Sequence, residues 1–132
     1  MASRILVADD DADCRELVAR ALAGPDIEIC AATDGGELIE LTADDRGLDL
    51  IVTDIDMPWM QGLQALASLR SAGLETPVLV ITGLTRPELA TSIDRMGNAK
   101  LLYKPFGVEQ LRGAVASLLA SSSDFASRAA RR

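Results

Sequence analysis

The stretch that decides the fold is LDLIVTDIDMP, at residues 48–58. Its apolar run leads into an acid, Asp54, and Pro58 then ends any regular continuation. A continuous apolar run bounded by turn residues predicts a strand buried on both faces of a parallel sheet. Such strands present functional side chains at their carboxyl ends, where open α/β sheets bind ligands. A carboxylate there is costly unless a cation compensates for it, so Asp54 needs partners from elsewhere in the chain.

Two periodicities alternate along the rest of the chain. Strand-like apolar patterns recur at residues 4–8, 27–31, 78–81 and 100–103, with the second less buried than the others. Apolar residues at helical spacing follow each strand, and Asp34-Gly35-Gly36 is expected to form a turn. Five strand–helix repeats of this length predict a doubly wound α/β fold, with a five-stranded parallel sheet and helices on both faces.

The length of 132 residues fits one domain with a real core. We place the domain at residues 1–120. The Ser-, Ala- and Arg-rich segment 121–132 is interpreted as a C-terminal tail or linker stub, either frayed helix or disordered.

Composition excludes several functions. The net charge of -7 argues against nucleic-acid binding, because phosphate backbones select basic surfaces. The absence of histidine removes the usual general base and phosphohistidine carrier. Cys14 and Cys30 lack metal-ligand spacing and predict small buried side chains in a reducing compartment. No signal peptide and no apolar run of about 20 residues is found, so a cytoplasmic location without membrane contact is expected.

The predicted carboxyl edge of the sheet collects side chains that are distant in sequence. They follow the first, third, fourth and fifth strands and comprise Asp9, Asp10, Asp54, Thr82 and Lys104. Three carboxylates in one pocket favour a small hard cation such as Mg²⁺. With the cation bound, Asp54 can remain ionised and attack a phosphoryl group.

Phosphoryl transfer mainly requires positioning and neutralisation of the equatorial oxygens. Mg²⁺, Lys104 and the Thr82 hydroxyl are each expected to take one of these oxygens. Asp10 is predicted to be the direct metal ligand, with Asp9 as its partner and the backbone carbonyl of Asp56 as a further ligand. Alone, an acid here is more often a helix cap, and we prefer that interpretation for Asp11.

Four motifs together resemble the receiver domain of two-component response regulators. They are ILVADDD at 5–11, VTDIDMP at 52–58 with Gly62 beyond it, VITG at 80–83 and KPF at 104–106. The resemblance spans residues 4–120 and implies a flavodoxin-like sheet of order 2-1-3-4-5. It implies Asp54 as phosphoacceptor, an acid pair holding Mg²⁺ (Mn²⁺ being the alternative ion), Thr82 as switch hydroxyl and Lys104 as the family's lysine.

The resemblance also implies partners. The phosphoryl donor would be a sensor histidine kinase or a histidine phosphotransfer protein, docking on the first helix. No multiple-turnover substrate is expected, only self-catalysed phosphorylation and dephosphorylation. The output surface is predicted on the fourth helix, fifth strand and fifth helix, facing a downstream protein, an output domain or a second copy. Its candidate rim charges are Arg86, Arg95, Lys100 and Arg112.

One position departs from the family pattern. Receivers usually carry a switch aromatic three residues before the lysine, where this chain has Leu101. Tyr103 directly precedes Lys104, and strand alternation is expected to point it to the other face. The aromatic switch coupled to Thr82 is therefore not carried over. Asp56, two residues beyond Asp54, is expected to repel an incoming donor or water and to tune phosphate lifetime.

Two other functional classes fit parts of the pattern. Asp54-Ile55-Asp56 resembles the DxD of haloacid-dehalogenase-type phosphatases, but that family carries DxD on its first strand and its acid pair later. The other alternative is a receiver that is never phosphorylated and serves only as an interaction module. Leu101 favours this alternative, whereas the presence of all five residues of the sheet edge opposes it: Asp9, Asp10, Asp54, Thr82 and Lys104.

Overall fold

In a computed structural model of the protein, five strands alternate with five helices. The structure describes residues 3–43, 48–55, 62–71, 73, 75–83 and 87–130. In chain order the elements are β1 (Ser3–Ala8), α1 (Ala12–Leu22), β2 (Ile27–Ala32), α2 (Gly35–Ala43), β3 (Leu50–Asp54), α3 (Gly62–Ser71), β4 (Val78–Thr82), α4 (Pro87–Met96), β5 (Ala99–Tyr103) and α5 (Val108–Ala130). This order confirms the predicted strand–helix alternation.

The five strands form one parallel sheet in the order β2-β1-β3-β4-β5. The predicted sheet order is therefore confirmed. β3 lies at the centre and β4 beside it, and every residue of both strands is buried. The edge strands β2 and β5 are only partly buried, because each lacks a neighbouring strand on one side.

Two apolar clusters cover the two faces of the sheet. α1 and α5 supply Val18, Leu22, Leu111 and Val115 to one cluster. α2, α3 and α4 supply Leu38, Leu66, Leu89 and Ile93 to the other. Alternate residues of the central strands enter opposite clusters, since successive side chains of a strand point to opposite faces. None of the described helices is both long and apolar enough to cross a membrane.

One predicted turn differs from the structure, and the last helix is longer than the predicted domain. Gly35 and Gly36 begin α2 rather than form a turn, because the carboxylate of Asp34 accepts the backbone N–H of Glu37 at 2.8 Å and starts the helix. At the other end of the chain, α5 continues through Ala130, ten residues past the predicted domain boundary. Residues 121–130 are thus helical, and the role of segment 121–132 as a separate tail stays a prediction.

Candidate phosphoacceptor site

Strand register brings together the residues that were predicted to meet at the carboxyl edge of the sheet. Ala8 pairs with Thr53, so Asp9 and Asp54 emerge side by side from β1 and β3. Asp54 pairs with Ile81 on β4, which places Thr82 one residue beyond it. Lys104 follows β5, and its backbone N–H donates to the Thr82 carbonyl at 2.8 Å. Parallel pairing therefore aligns the carboxyl ends that the sequence had predicted to converge.

Three carboxylates form a compact cluster on this edge. Oxygens of Asp9, Asp10 and Asp54 all lie within 4.8 Å of one another. Asp9 and Asp54 are buried, whereas Asp10 is exposed. A set of oxygen donors that opens to water on one side suits Mg²⁺, which prefers oxygen ligands and retains several waters. The predicted further ligand, the carbonyl of Asp56, lies outside the described residues.

Lys104 supplies the cation that the buried carboxylates require. Its Nζ lies 2.6 Å from Oδ2 of Asp54 and 3.6 Å from Oδ2 of Asp9. Burial alone would lower the pKa of Lys104, but the hydrogen bond and charge of Asp54, together with the charge of Asp9, outweigh it. The pKa of Lys104 is therefore raised above its ordinary value, and the ammonium stays protonated at neutral pH.

The loop between β1 and α1 holds the acid pair in place. Oδ1 of Asp9 accepts a hydrogen bond from the backbone N–H of Asp11 at 2.9 Å. The carboxylate of Asp11 in turn accepts a hydrogen bond from the backbone N–H of Asp13. Asp11 is thus the N-cap of α1, as predicted. Arg15 donates from Nη1 to the carbonyl oxygen of Asp9 at 2.8 Å. Sequence reasoning missed Arg15, although its position one turn into the helix after the acid pair was a usable signal.

Cys14 lies beside the carboxylate of Asp9. Its side chain packs partly buried against the cluster of α1 and α5. Burial, reinforced by the neighbouring charge of Asp9, raises the pKa of the Cys14 thiol to about 11. The thiol is therefore protonated at neutral pH and a poor nucleophile.

The structure corrects the expectation about which face of β5 carries Tyr103, the aromatic residue near Leu101. Alternation along β5 sets Leu101 and Tyr103 on one face of the strand and Leu102 on the other, since Leu101 and Leu102 enter opposite clusters. Tyr103 therefore shares the face of Leu101, and the expectation that alternation turns it to the other face was wrong. Tyr103 pairs in register with Thr82 and is 39% exposed, whereas Thr82 is fully buried.

The predicted rim charges of the output surface do not all lie together. Arg95 and Lys100 are exposed on α4 and β5, and Nζ of Lys100 donates to Oγ of Ser117 on α5 at 2.7 Å. Arg112 instead donates from Nε to the carbonyl of Ala21 at 2.8 Å. Its guanidinium therefore links α5 to α1 and does not lie with Arg95 and Lys100. Arg86 lies outside the described residues.

A doubly wound sheet of this order, with acids and a lysine at its carboxyl edge, defines the class of flavodoxin-like receiver folds. The family described as response regulator receiver domain matches residues 5–116. The chain therefore belongs to the receiver domains of two-component response regulators. Phosphorylation on an aspartate is general in this family, which generally binds Mg²⁺ at an acidic pocket, and its members are generally not multiple-turnover enzymes.

Curated relatives are whole response regulators. Response regulator MprA of Mycobacterium bovis (strain BCG / Pasteur 1173P2) is 38% identical over 120 residues, covering 90% of this chain and 51% of the relative. Response regulator MprA of Mycolicibacterium vanbaalenii has the same identity and coverage. The chain thus spans about half the length of the curated relatives it matches.

Solved structures with the same fold include isolated receivers and a longer protein. Chemotaxis response regulator CheY4 of Vibrio cholerae superposes with a TM-score of 0.77 at 29% identity, covering 89% of this chain and 99% of that one. NtrX from Brucella abortus, solved in complex with ADP, gives 0.87 at 30% identity, covering 100% of this chain but 30% of that one. A receiver domain implies a phosphodonor kinase and an output that responds to it.

Proposed function

We propose that Asp54 is the residue that accepts the phosphoryl group. The observation that carries this proposal is the contact of Lys104 Nζ with Asp54 Oδ2 at 2.6 Å. It holds an ionised carboxylate at the sheet edge beside a cation that can meet incoming negative charge. In the reaction, an oxygen of Asp54 bonds to phosphorus as the bond between phosphorus and the donor's histidine nitrogen breaks.

The surrounding residues divide the remaining tasks. Thr82 ends β4, the strand that pairs with β3 beside Asp54, and the ammonium of Lys104 reaches Asp54 from beyond the end of β5. Each of these two groups is proposed to meet one oxygen of the phosphoryl group. Asp10 and Asp54 are proposed as direct metal ligands, with Asp9 beside them and the carbonyl of Asp56 as a further ligand. When bound, Mg²⁺ (or Mn²⁺) would neutralise charge on the phosphoryl oxygens.

The donor is proposed to be a sensor histidine kinase or a histidine phosphotransfer protein that docks on α1. Two observations support this surface. α1 begins two residues beyond Asp10, so a partner lying on it would sit beside the carboxylate cluster. In addition, Leu17 on this helix is 53% exposed, which offers an apolar contact on an otherwise charged face.

The response to phosphorylation is proposed to be a population shift between two packings of the surface formed by α4, β5 and α5. Leu101 and Tyr103 lie on β5 within this surface, and Tyr103 pairs with Thr82. A change at Thr82 therefore has a direct backbone route to β5. The surface would bind a downstream protein, an output domain or a second copy of the chain.

Intact mass after incubation with acetyl phosphate and Mg²⁺ tests the central proposal. We expect one added phosphoryl group in the wild-type chain and none in Asp54→Asn. Asp94→Asn is the matched control, because Asp94 is exposed on α4 away from the sheet edge, and it should still gain the group.

Absence of an adduct on the wild-type chain would instead favour the unphosphorylated interaction module that Leu101 suggests. The family assignment does not support the phosphatase alternative, and a turnover assay with small phosphoesters checks it independently. Multiple turnovers there would contradict the proposed role.

A further inference from the structure

The side chain of Arg15 reaches back from α1 to the loop that carries the acid pair. Its Nη1 donates to the carbonyl oxygen of Asp9 at 2.8 Å. Arg15 is half-buried, so this hydrogen bond is partly shielded from water. That carbonyl belongs to the peptide group joining Asp9 to Asp10. The orientation of this peptide group helps to set the direction in which the Asp10 side chain leaves the backbone.

The two acids differ in how they are held. The carboxylate of Asp9 is fixed from two sides, by the backbone N–H of Asp11 and by Lys104. The backbone N–H of Asp9 donates to the carbonyl of Ala32 at 3.1 Å. Asp10 is exposed, and in the part of the chain that the structure describes no hydrogen bond or ion pair fixes its carboxylate. Its place in the cluster therefore depends on the peptide before it.

We propose that Arg15 is a positioning residue that locks the Asp9–Asp10 peptide and so keeps the Asp10 carboxylate directed at the metal-binding cluster. The inference rests on the proposed metal role of that cluster. Outer partners that orient metal ligands commonly alter metal affinity when they are removed. Arg15 would act in this way through a backbone carbonyl rather than through the ligand's own side chain.

Charge and positioning predict opposite outcomes, which makes the inference testable. A guanidinium close to a cation site repels the cation, so removing its charge should strengthen Mg²⁺ binding if charge alone matters. If Arg15 acts by orienting the loop, removing it should weaken binding despite the lost repulsion. The sign of the change in affinity therefore separates the two effects.

The experiment compares Arg15→Gln with Arg20→Gln in Mg²⁺ titrations followed by calorimetry. Arg20 is a matched control on the same helix, because it is exposed and paired only with Glu16 among the described residues. We expect Arg15→Gln to raise the Mg²⁺ Kd about tenfold, the low end of effects seen for outer-shell partners. Arg20→Gln should leave the Kd unchanged or slightly lower.

Two further measurements exclude a merely structural effect. Arg15→Lys retains a charged donor and should recover most of the lost affinity. In EDTA, the amide of Asp11, which donates to Asp9, should exchange about tenfold faster in Arg15→Gln, as expected for the loss of one hydrogen bond's constraint. The amide of Val52 in the central strand reports global opening and should exchange as in the wild type.

The outcomes distinguish this inference from the function on which it rests. Binding by Arg15→Gln as tight as or tighter than that of the wild type would overturn the positioning role. A wild-type chain that binds no Mg²⁺ would overturn the proposed metal role and the affinity consequence with it. In that case, unchanged exchange at Asp11 would also refute the claim that Arg15 orders the loop.

Discussion

Replacing Lys104 by methionine should destabilise the metal-free domain more than any exposed charge replacement does. Methionine keeps much of the length and apolar stem of lysine but removes the ammonium. In the structure that ammonium contacts Asp54 at 2.6 Å and Asp9 at 3.6 Å. Both carboxylates are buried, so water cannot fully replace the lost cation.

The magnitude follows from these distances. At an effective dielectric constant of about 20, the two attractions are on the order of 6 and 5 kcal/mol, and desolvation offsets a large share of them. Removing one partner of a buried ion pair typically costs about 3–5 kcal/mol, because an uncompensated charge remains. We expect a loss of about 3 kcal/mol, since Lys104 retains some exposure and the cluster opens to solvent at Asp10.

Urea denaturation in EDTA, followed by circular dichroism, measures this loss. A thermal midpoint about 10 °C lower would accompany it for a domain of this size. Arg20→Met is the control: Arg20 forms an exposed pair with Glu16, and such pairs contribute at most about 1 kcal/mol. Mg²⁺ should restore more stability to Lys104→Met than to the wild type, because a bound cation replaces the missing ammonium.

A double variant makes the reasoning refutable. Asp54→Asn introduced into Lys104→Met removes one of the stranded charges and should recover part of the lost stability. The electrostatic account is refuted if Lys104→Met loses less than the Arg20 control, or if Asp54→Asn adds a further loss in that background.

Three further predictions concern single positions. Arg70→Met should lower stability by about 1–2 kcal/mol in urea denaturation, because Arg70 donates to the carbonyls of Thr76 at 2.7 Å and Gly97 at 3.1 Å; an unchanged midpoint would contradict this. In EDTA near neutral pH, Cys14 should react with iodoacetamide about a hundredfold more slowly than an ordinary thiol, since its pKa is about 11 rather than 9.0; peptide mass spectrometry after timed quenching checks the rate. Asp56→Asn should increase both phosphorylation by acetyl phosphate and dephosphorylation severalfold, as it removes a charge that repels donor and water; an unchanged dephosphorylation rate would remove this role for Asp56.

Most of the site was predictable because parallel strands align their carboxyl ends. An apolar run ending in an acid marks a buried strand with a functional terminus, and this is enough to bring Asp54 beside the acids after β1. The placement of Lys104 after β5 follows from the same rule. The structure adds the contact distances that make Lys104 the counter-ion of two carboxylates rather than of one.

Side chains that reach across elements could not be assigned from periodicity. Arg112 was expected at the output surface, yet its guanidinium turns to the last turn of α1. Arg15 received no role from its place in the sequence, yet it binds the backbone before Asp10. A long side chain has several rotamers, and only the packing of its neighbours selects among them.

By itself, the sequence determined the fold and the sheet edge at which the three acids, Thr82 and Lys104 meet, because burial patterns and turn residues are local properties. The tertiary structure alone decided which carboxylates share the ammonium, that Tyr103 lies on the face of Leu101 beside Thr82, and how Arg15 and Arg112 are used. These features depend on distances between elements that pack together, and such distances exist only once the core has formed.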